Sequence, residues 1–178
     1  MIEFRPQSEP ATMKTAKAFT LIELMVVILI LGILAAIVVP QASSASAMAR
    51  STALAQDLRA TRNHLGVYAA QHNDFAPGYP AGGGKPDSAT FVNQMTMASD
   101  ETGAVKPLGT AGYAYGPYWL KAPDNPMNSK NTVLVIDDGA AFPTAPSDQF
   151  GWVYQPATLT FKPDNSGQDD AGTRYFDY

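Results

Sequence analysis

The chain has 178 residues, no cysteine, and 12 Lys plus Arg against 16 Asp plus Glu, a formal net charge of −4. That balance excludes a general nucleic-acid binder, which needs a concentrated basic surface, and the missing cysteines exclude disulfides, thiolate metal sites and thiol nucleophiles. Of the 28 Gly and Pro residues only five fall within residues 1–73, so the chain reads as a helical front joined to a loop-rich head.

From Leu24 to Val39 run sixteen uncharged residues, ended by Pro40. Extended back to Ala18, the apolar stretch is interrupted by a single charge, Glu23. About 22 helical residues span roughly 33 Å, enough for a hydrocarbon core of about 30 Å. No other segment is long enough to wrap such a helix on all sides, which argues for a membrane span over a buried core helix. Lys14 and Lys17 precede the run, and flanking positive charge favours a cytoplasmic N-terminus with the head across the membrane. A carboxylate at membrane depth costs a few kcal/mol, so Glu23 is expected near an interface or paired.

Two processing readings arise. Ala45-Ser46-Ala47 supplies an A-x-A pattern, as in a secretory signal cleaved after Ala47 to release an enzyme or binding domain. Glu23 inside the apolar run weighs against it. The second reading rests on Lys17-Ala18-Phe19-Thr20-Leu21-Ile22-Glu23-Leu24. This string closely resembles the type IV prepilin signature. The resemblance implies cleavage between Ala18 and Phe19 by a prepilin peptidase and methylation of the new Phe19 amine. Ala18 stands where the family usually has Gly, so cleavage there is expected to be slower. The leader carries three basic and two acidic residues, and its removal leaves 160 residues of net charge −5. The resemblance also implies that Glu23 pairs with the amine of a neighbouring subunit, an assembly residue and not a catalytic acid.

Gly32 and Pro40 are expected to soften the helix, by backbone freedom and by a lost hydrogen bond respectively. Both resemble softening positions common in pilins. Beyond Pro40, Leu54, Leu58, Leu65 and Tyr68 recur at helical spacing, with Gln56, Arg59, Arg62 and Asn63 largely off that stripe. Asn73 and Pro77 supply a stop near Gln71 or His72. A helix of that length would extend on the order of 80 Å.

In the head, Gly82-Gly83-Gly84-Lys85-Pro86 fails as a phosphate loop, because Pro86 occupies the Ser/Thr position. Asp87 is expected to cap a short helix ending near Met97, with Phe91 and Met95 on one face. Tyr113, Tyr115, Tyr118 and Trp119 read as core or loop anchors before sugar-stacking residues. Val133–Ile136 reads as a strand, and Phe150–Tyr154 with Thr158–Lys162 as a hairpin around Gln155-Pro156-Ala157. His64 and His72, eight apart, form no metal pair and read as surface residues. No nucleophile, zinc or dinucleotide signature is found, so no enzyme is expected. Asp164, Asp169 and Asp170 cluster around Gly167 and offer oxygen ligands for calcium, though not in EF-hand order; a solvated acidic turn is the alternative.

The expected fold is therefore α+β: a leader (1–18), a membrane-spanning helix (19–40), its amphipathic continuation (41–73), and a head (74–178) with a small antiparallel sheet against the second half of the helix. Asp57–Leu65, Phe91–Thr96, Tyr115–Tyr118 and Gly151–Tyr154 look like the major pseudopilin of type II secretion systems. What this implies is a self-assembling helical polymer stored in the inner membrane, its head periplasmic, later a periplasmic or surface filament. The implied partners are copies of itself, prepilin peptidase, minor pilins, an assembly platform and its separate ATPase. A surface pilin for adhesion, motility or DNA uptake is the alternative within the superfamily.

Overall fold

The computed structural model describes residues 19–178. The leader and Ala18, where cleavage is expected, lie outside the described residues. The chain divides into two compact units, one ending at Ala42 and the other running from Ser43 to Tyr178.

Helix α1, Leu21–Gln71, contributes its first half to one unit and its second half to the other. Gly32, Pro40 and the Ala45-Ser46-Ala47 pattern all lie within its span. In the first unit, Leu21–Val38 is long and apolar enough to cross a membrane, and none of it is buried.

In the second unit the stripe on α1 folds inward as its spacing requires. Leu54, Leu58, Leu65 and Tyr68 are buried, spaced four, seven and three residues apart and so on one face. Gln56, Arg59, Arg62 and Asn63 are exposed. Arg62 still ties the helix to the head, its guanidinium donating to the carbonyls of Phe161 (2.9 Å) and Tyr178 (2.7 Å). The helix stops where the sequence says: Asn73 and Asp74 both adopt left-handed φ, at 54° and 64°, and the Asp74 amide closes the turn on the Ala69 carbonyl.

Helix α2, Ser88–Thr96, starts at Asp87, whose carboxylate accepts from the Thr90 amide at 2.9 Å. This satisfies one of the first-turn donors that a helix leaves unpaired. Its buried face carries Phe91, Gln94 and Met95. Strands β1 (Ala98–Ser99) and β2 (Val105–Lys106) form a short antiparallel ladder.

The main sheet has order β3–β4–β5, with β3 at Val133–Val135, β4 at Trp152–Gln155 and β5 at Thr160–Pro163. β4 and β5 pair antiparallel, Trp152 opposite Pro163 and Gln155 opposite Thr160, joined by a 3₁₀ turn over Pro156–Thr158. The hairpin is as expected. The wholly antiparallel sheet is corrected: β3 runs parallel to β4, Val133 opposite Trp152. A parallel neighbour needs a crossing connection, and the long segment from Ile136 to Gly151 supplies it. Gly151 permits the close approach at the strand start, since a Cβ there would lie 2.2 Å from the Lys130 carbonyl oxygen.

The core lies between the second half of α1, helix α2 and this sheet. Phe91 packs on Tyr154 (4.4 Å between centroids) and Trp119 (5.5 Å), and Trp152 stacks on Phe161 (5.1 Å). Trp119 is a core anchor, and Tyr118 holds the end of α1 by donating to the Gln71 side-chain oxygen at 2.6 Å.

Candidate functional site

The start of α1 is built by Thr20 and Glu23. The Glu23 carboxylate oxygen Oε2 accepts from the Thr20 amide (2.9 Å) and hydroxyl (2.8 Å), while the Glu23 amide donates to Thr20 Oγ1 (3.3 Å). This is a reciprocal capping box, in which side chains three residues apart satisfy orphan amides at a helix start. Its sequence signature is T-x-x-E, Thr20 to Glu23. The second oxygen, Oε1, accepts no bond among the described residues and remains able to meet a cation from outside the subunit. Phe19, which precedes Thr20 in the chain, is 86 % exposed. The apolar side chains that follow find no burial within the chain. They form a shallow groove around Gly32, lined by residues such as Ile28 and Ile33.

Exposed apolar side chains over about 27 Å of helix, with one half-satisfied carboxylate at the end, make a surface that must be covered by lipid or by other helices. Residues 13–39 match the family described as the prokaryotic N-terminal methylation motif. The start of the chain carries that motif. It is similar to the type IV wide pilus major component PilA4 of Thermus thermophilus, 29% identical over 135 residues, covering 74% of this chain and all of that protein. It is also similar to the type II secretion system core protein G of Pseudomonas aeruginosa, 52% identical over 50 residues, 28% of this chain and 35% of that one. No solved structure matches it.

The remaining candidate residues lie in the head. Asp164 is buried, its carboxylate accepting from the Ser147 amide (2.6 Å) and hydroxyl (2.6 Å) and the Phe150 amide (2.9 Å). Burial pushes its carboxyl up, but these hydrogen bonds together outweigh it and hold the group below the usual carboxylate range. Asp169 accepts from the amides of Ala171 (2.9 Å) and Thr173 (2.8 Å) and from the Tyr178 hydroxyl (2.6 Å). Tyr178 is pushed up to about 12 by that bond.

Asp164, Asp169 and Asp170 are therefore not brought together. Among the described residues no group of three or more His, Asp or Glu side chains could hold a metal. Calcium needs six to eight oxygens, and Asp164 and Asp169 have already spent theirs on protein donors. The arrangement as it stands does not fit the ion.

The surface reading of the histidines is corrected for His72. It is buried, its ring stacked on Tyr68 at 3.7 Å, with Nδ1 2.7 Å from the Tyr68 carbonyl and Nε2 3.0 Å from the Ser99 hydroxyl. The carbonyl can only accept, so Nδ1 carries the proton and Nε2 accepts from Ser99. Desolvation holds its pKa below the ordinary value despite opposing help from the Tyr68 carbonyl and Asp100. The signal was available, because His72 follows Tyr68 by four and so continues the buried stripe. His64, half-buried, has no partner for Nδ1 among the described residues.

Proposed function

We propose that this chain is the structural subunit of a type IV pilus-like filament, stored in a membrane through Leu21–Val38 and polymerised through the same surface. The observation that carries the reading is the unburied apolar half of α1, joined to the methylation motif and to Glu23. Its apolar side chains gain roughly 1.5–3 kcal/mol each on full burial, whether in lipid before assembly or among neighbouring helices after it. The gain is non-directional, so it supplies affinity without register. Glu23 Oε1 supplies the register by meeting the Phe19 amine of another copy, in a surrounding that leaves each charge no better partner.

Processing between Ala18 and Phe19 by a prepilin peptidase creates that amine. The basic leader keeps the N-terminus cytoplasmic until then, with the head on the far side of the membrane. A separate ATPase and platform drive extraction, and minor pilins begin the fibre. The chain does no chemistry of its own. Within this class we favour the major pseudopilin of a type II secretion system, on the high identity of the matched segment to protein G. The likeness to a wide-pilus component over 74% of this chain favours a surface pilus as the second reading. Ala45-Ser46-Ala47 sits inside α1, which disfavours a released head.

Mass spectrometry of the mature protein tests the class. A chain beginning with methylated Phe19 is expected, and one beginning at Met1 or after Ala47 overturns the proposal. Deleting the gene then separates the two filaments: lost protein export marks a pseudopilin, and lost surface fibres with normal export mark a pilus.

A further inference from the structure

Two charges on the second half of α1 have no counter-charge within their own chain. Asp57 is half-buried and Arg59 is exposed. Three ion pairs are present among the described residues, Lys85–Asp137, Lys121–Asp124 and Arg174–Asp177, and all lie in the head. The helix itself offers Asp57 and Arg59 nothing, because charges pair along a helix at spacings of three or four. Around Asp57 those positions hold Ala53, Leu54, Ala60 and Thr61. Around Arg59 they hold Ala55, Gln56, Asn63 and Arg62, a second cation.

Burial pushes the Asp57 carboxyl up, and no hydrogen bond or neighbouring cation counters it. Arg50, seven residues earlier, shares its side of α1 but starts about 10 Å away along the axis. Arg62, one turn from Arg59, spends its guanidinium on the carbonyls of Phe161 and Tyr178. A partly desolvated carboxylate calls for a cation, and a guanidinium matches it as a two-pronged donor. Asp57 and Arg59 also point apart. At about 100° per residue, a separation of two turns them roughly 200° round the helix. Each α1 therefore presents a carboxylate on one flank and a guanidinium on the opposite one.

Identical copies repeated by one screw operation meet through unlike faces, so an open filament joins one flank of a helix to the opposite flank of the next. The offset between copies follows from the pairing of Glu23 with the Phe19 amine. Four residues of helix make a rise of about 6 Å, and the whole copy that lends the amine is raised by that amount. Its Asp57 then stands level with residue 61 of the receiving copy, two residues or about 3 Å above Arg59. From these opposed flanks and this offset, we infer that Asp57 of each copy pairs with Arg59 of the copy that receives its Phe19 amine. The inference rests on the filament reading above: Glu23 sets the offset, and this pair holds it in the second half of α1. One exposed pair contributes little by itself. The contact recurs at every step of the polymer, however, and an offset that brings like charges together is rejected.

The test is assembly of the full-length chain in cells that make the wild-type filament. Asp57→Arg and Arg59→Asp should each cut filament yield at least about tenfold by electron microscopy, since like charges then face each other. The double reversal should restore it. Carbodiimide coupling of assembled filaments reads the contact directly and does not depend on how the reversals fold. Arg59→Lys keeps the charge and supplies an amine, so its filaments should give a covalent ladder of multimers, lost when Asp57→Asn is added. Three results overturn the inference and leave the filament reading intact. They are normal filaments from both single reversals, restoration of Asp57→Arg by Arg50→Asp in place of Arg59→Asp, and Arg59→Lys filaments that give no ladder. A wild-type chain that forms no filament overturns both.

Discussion

Leu29 and Leu58 lie on one helix, yet Leu29 is 64 % exposed and Leu58 is buried. The first half of α1 is apolar on every face and finds no cover in its own chain. The second half is apolar on one stripe and spends it on α2 and the sheet. The pattern of apolar residues, and not their number, decides which kind of partner a helix takes. A stripe is answered by a head of the same chain. An unbroken apolar surface is answered only by lipid or by other copies. Polar groups divide in the same way. Asp164 and His72 in the second unit are met internally, whereas Glu23 Oε1 accepts no bond among the described residues.

The sharpest break in this comparison is Glu23→Leu. It makes the first half apolar without exception, so membrane insertion should be unchanged or improved. Filaments should be absent, because burial alone sets no register. Fractionation and electron microscopy read the two separately, and a normal filament yield sinks the assembly role of Glu23.

The second break is Trp152→Ala in the head. Trp152 is wholly buried and stacked on Phe161. Truncation should cost about 3–5 kcal/mol, seen as a large fall in Tm of the detergent-solubilised protein. The same change at exposed Leu29 should leave Tm unmoved. If both positions behave alike, the two halves of α1 are not differently held.

These two regions were unequally legible in the sequence. The membrane half needed only composition and one charge. In the head, local signals were sound: the α1 stripe, the Asn73 stop, the Asp87 cap and the β4–β5 hairpin all follow from spacing within a few residues. What failed was non-local. Val133-Leu134-Val135 says strand but not parallel strand, since pairing sense depends on where the chain returns from. Asp164 looked like one of an acidic trio, because its donors Ser147 and Phe150 come from another loop. Thr20 and Glu23 are a different matter, a local capping signature that the charge of Glu23 at membrane depth masks.

A smaller effect separates buried carboxylate from exposed one. Asp164→Asn puts an amide N–H2 against the donors of Ser147 and Phe150, leaving at least one of them unmet. The expected loss is about 1–3 kcal/mol. Asp170→Asn, on an exposed side chain, should change Tm by less than about 0.5 kcal/mol equivalent. Equal effects at the two sites would show that the loop acts as one acidic cluster after all.

His72 sharpens the comparison through pH, since the first half of α1 contains no histidine. Its folded pKa lies below the ordinary value, so as pH falls below about 6.5 the unfolded chain takes up a proton before the folded one. Stability from this residue is complete above that pH and is lost as pH falls toward the folded value. Asp100 opposes the loss by favouring the charged ring. Tm should therefore drop between pH 7.5 and 5.5, and His72→Gln should flatten the slope. An unchanged slope in that variant assigns the pH response elsewhere.

The smallest expected effect is that of a chelator. The oxygens of Asp164 and Asp169 are met by amides and hydroxyls, so removing calcium takes away no bond that the head is using. A bound ion would instead stabilise by mass action, roughly 2.7 kcal/mol at a hundredfold excess over its dissociation constant, a difference melting curves resolve easily. Tm with chelator and Tm with calcium should coincide. Asp169→Ala should lower both equally, because it frees the Tyr178 hydroxyl and opens the Ala171–Thr173 turn. If chelator lowers the wild-type Tm, calcium restores it better than magnesium, and Asp169→Ala abolishes the difference, the loop rearranges around an ion and its carboxylates exchange their protein donors for metal.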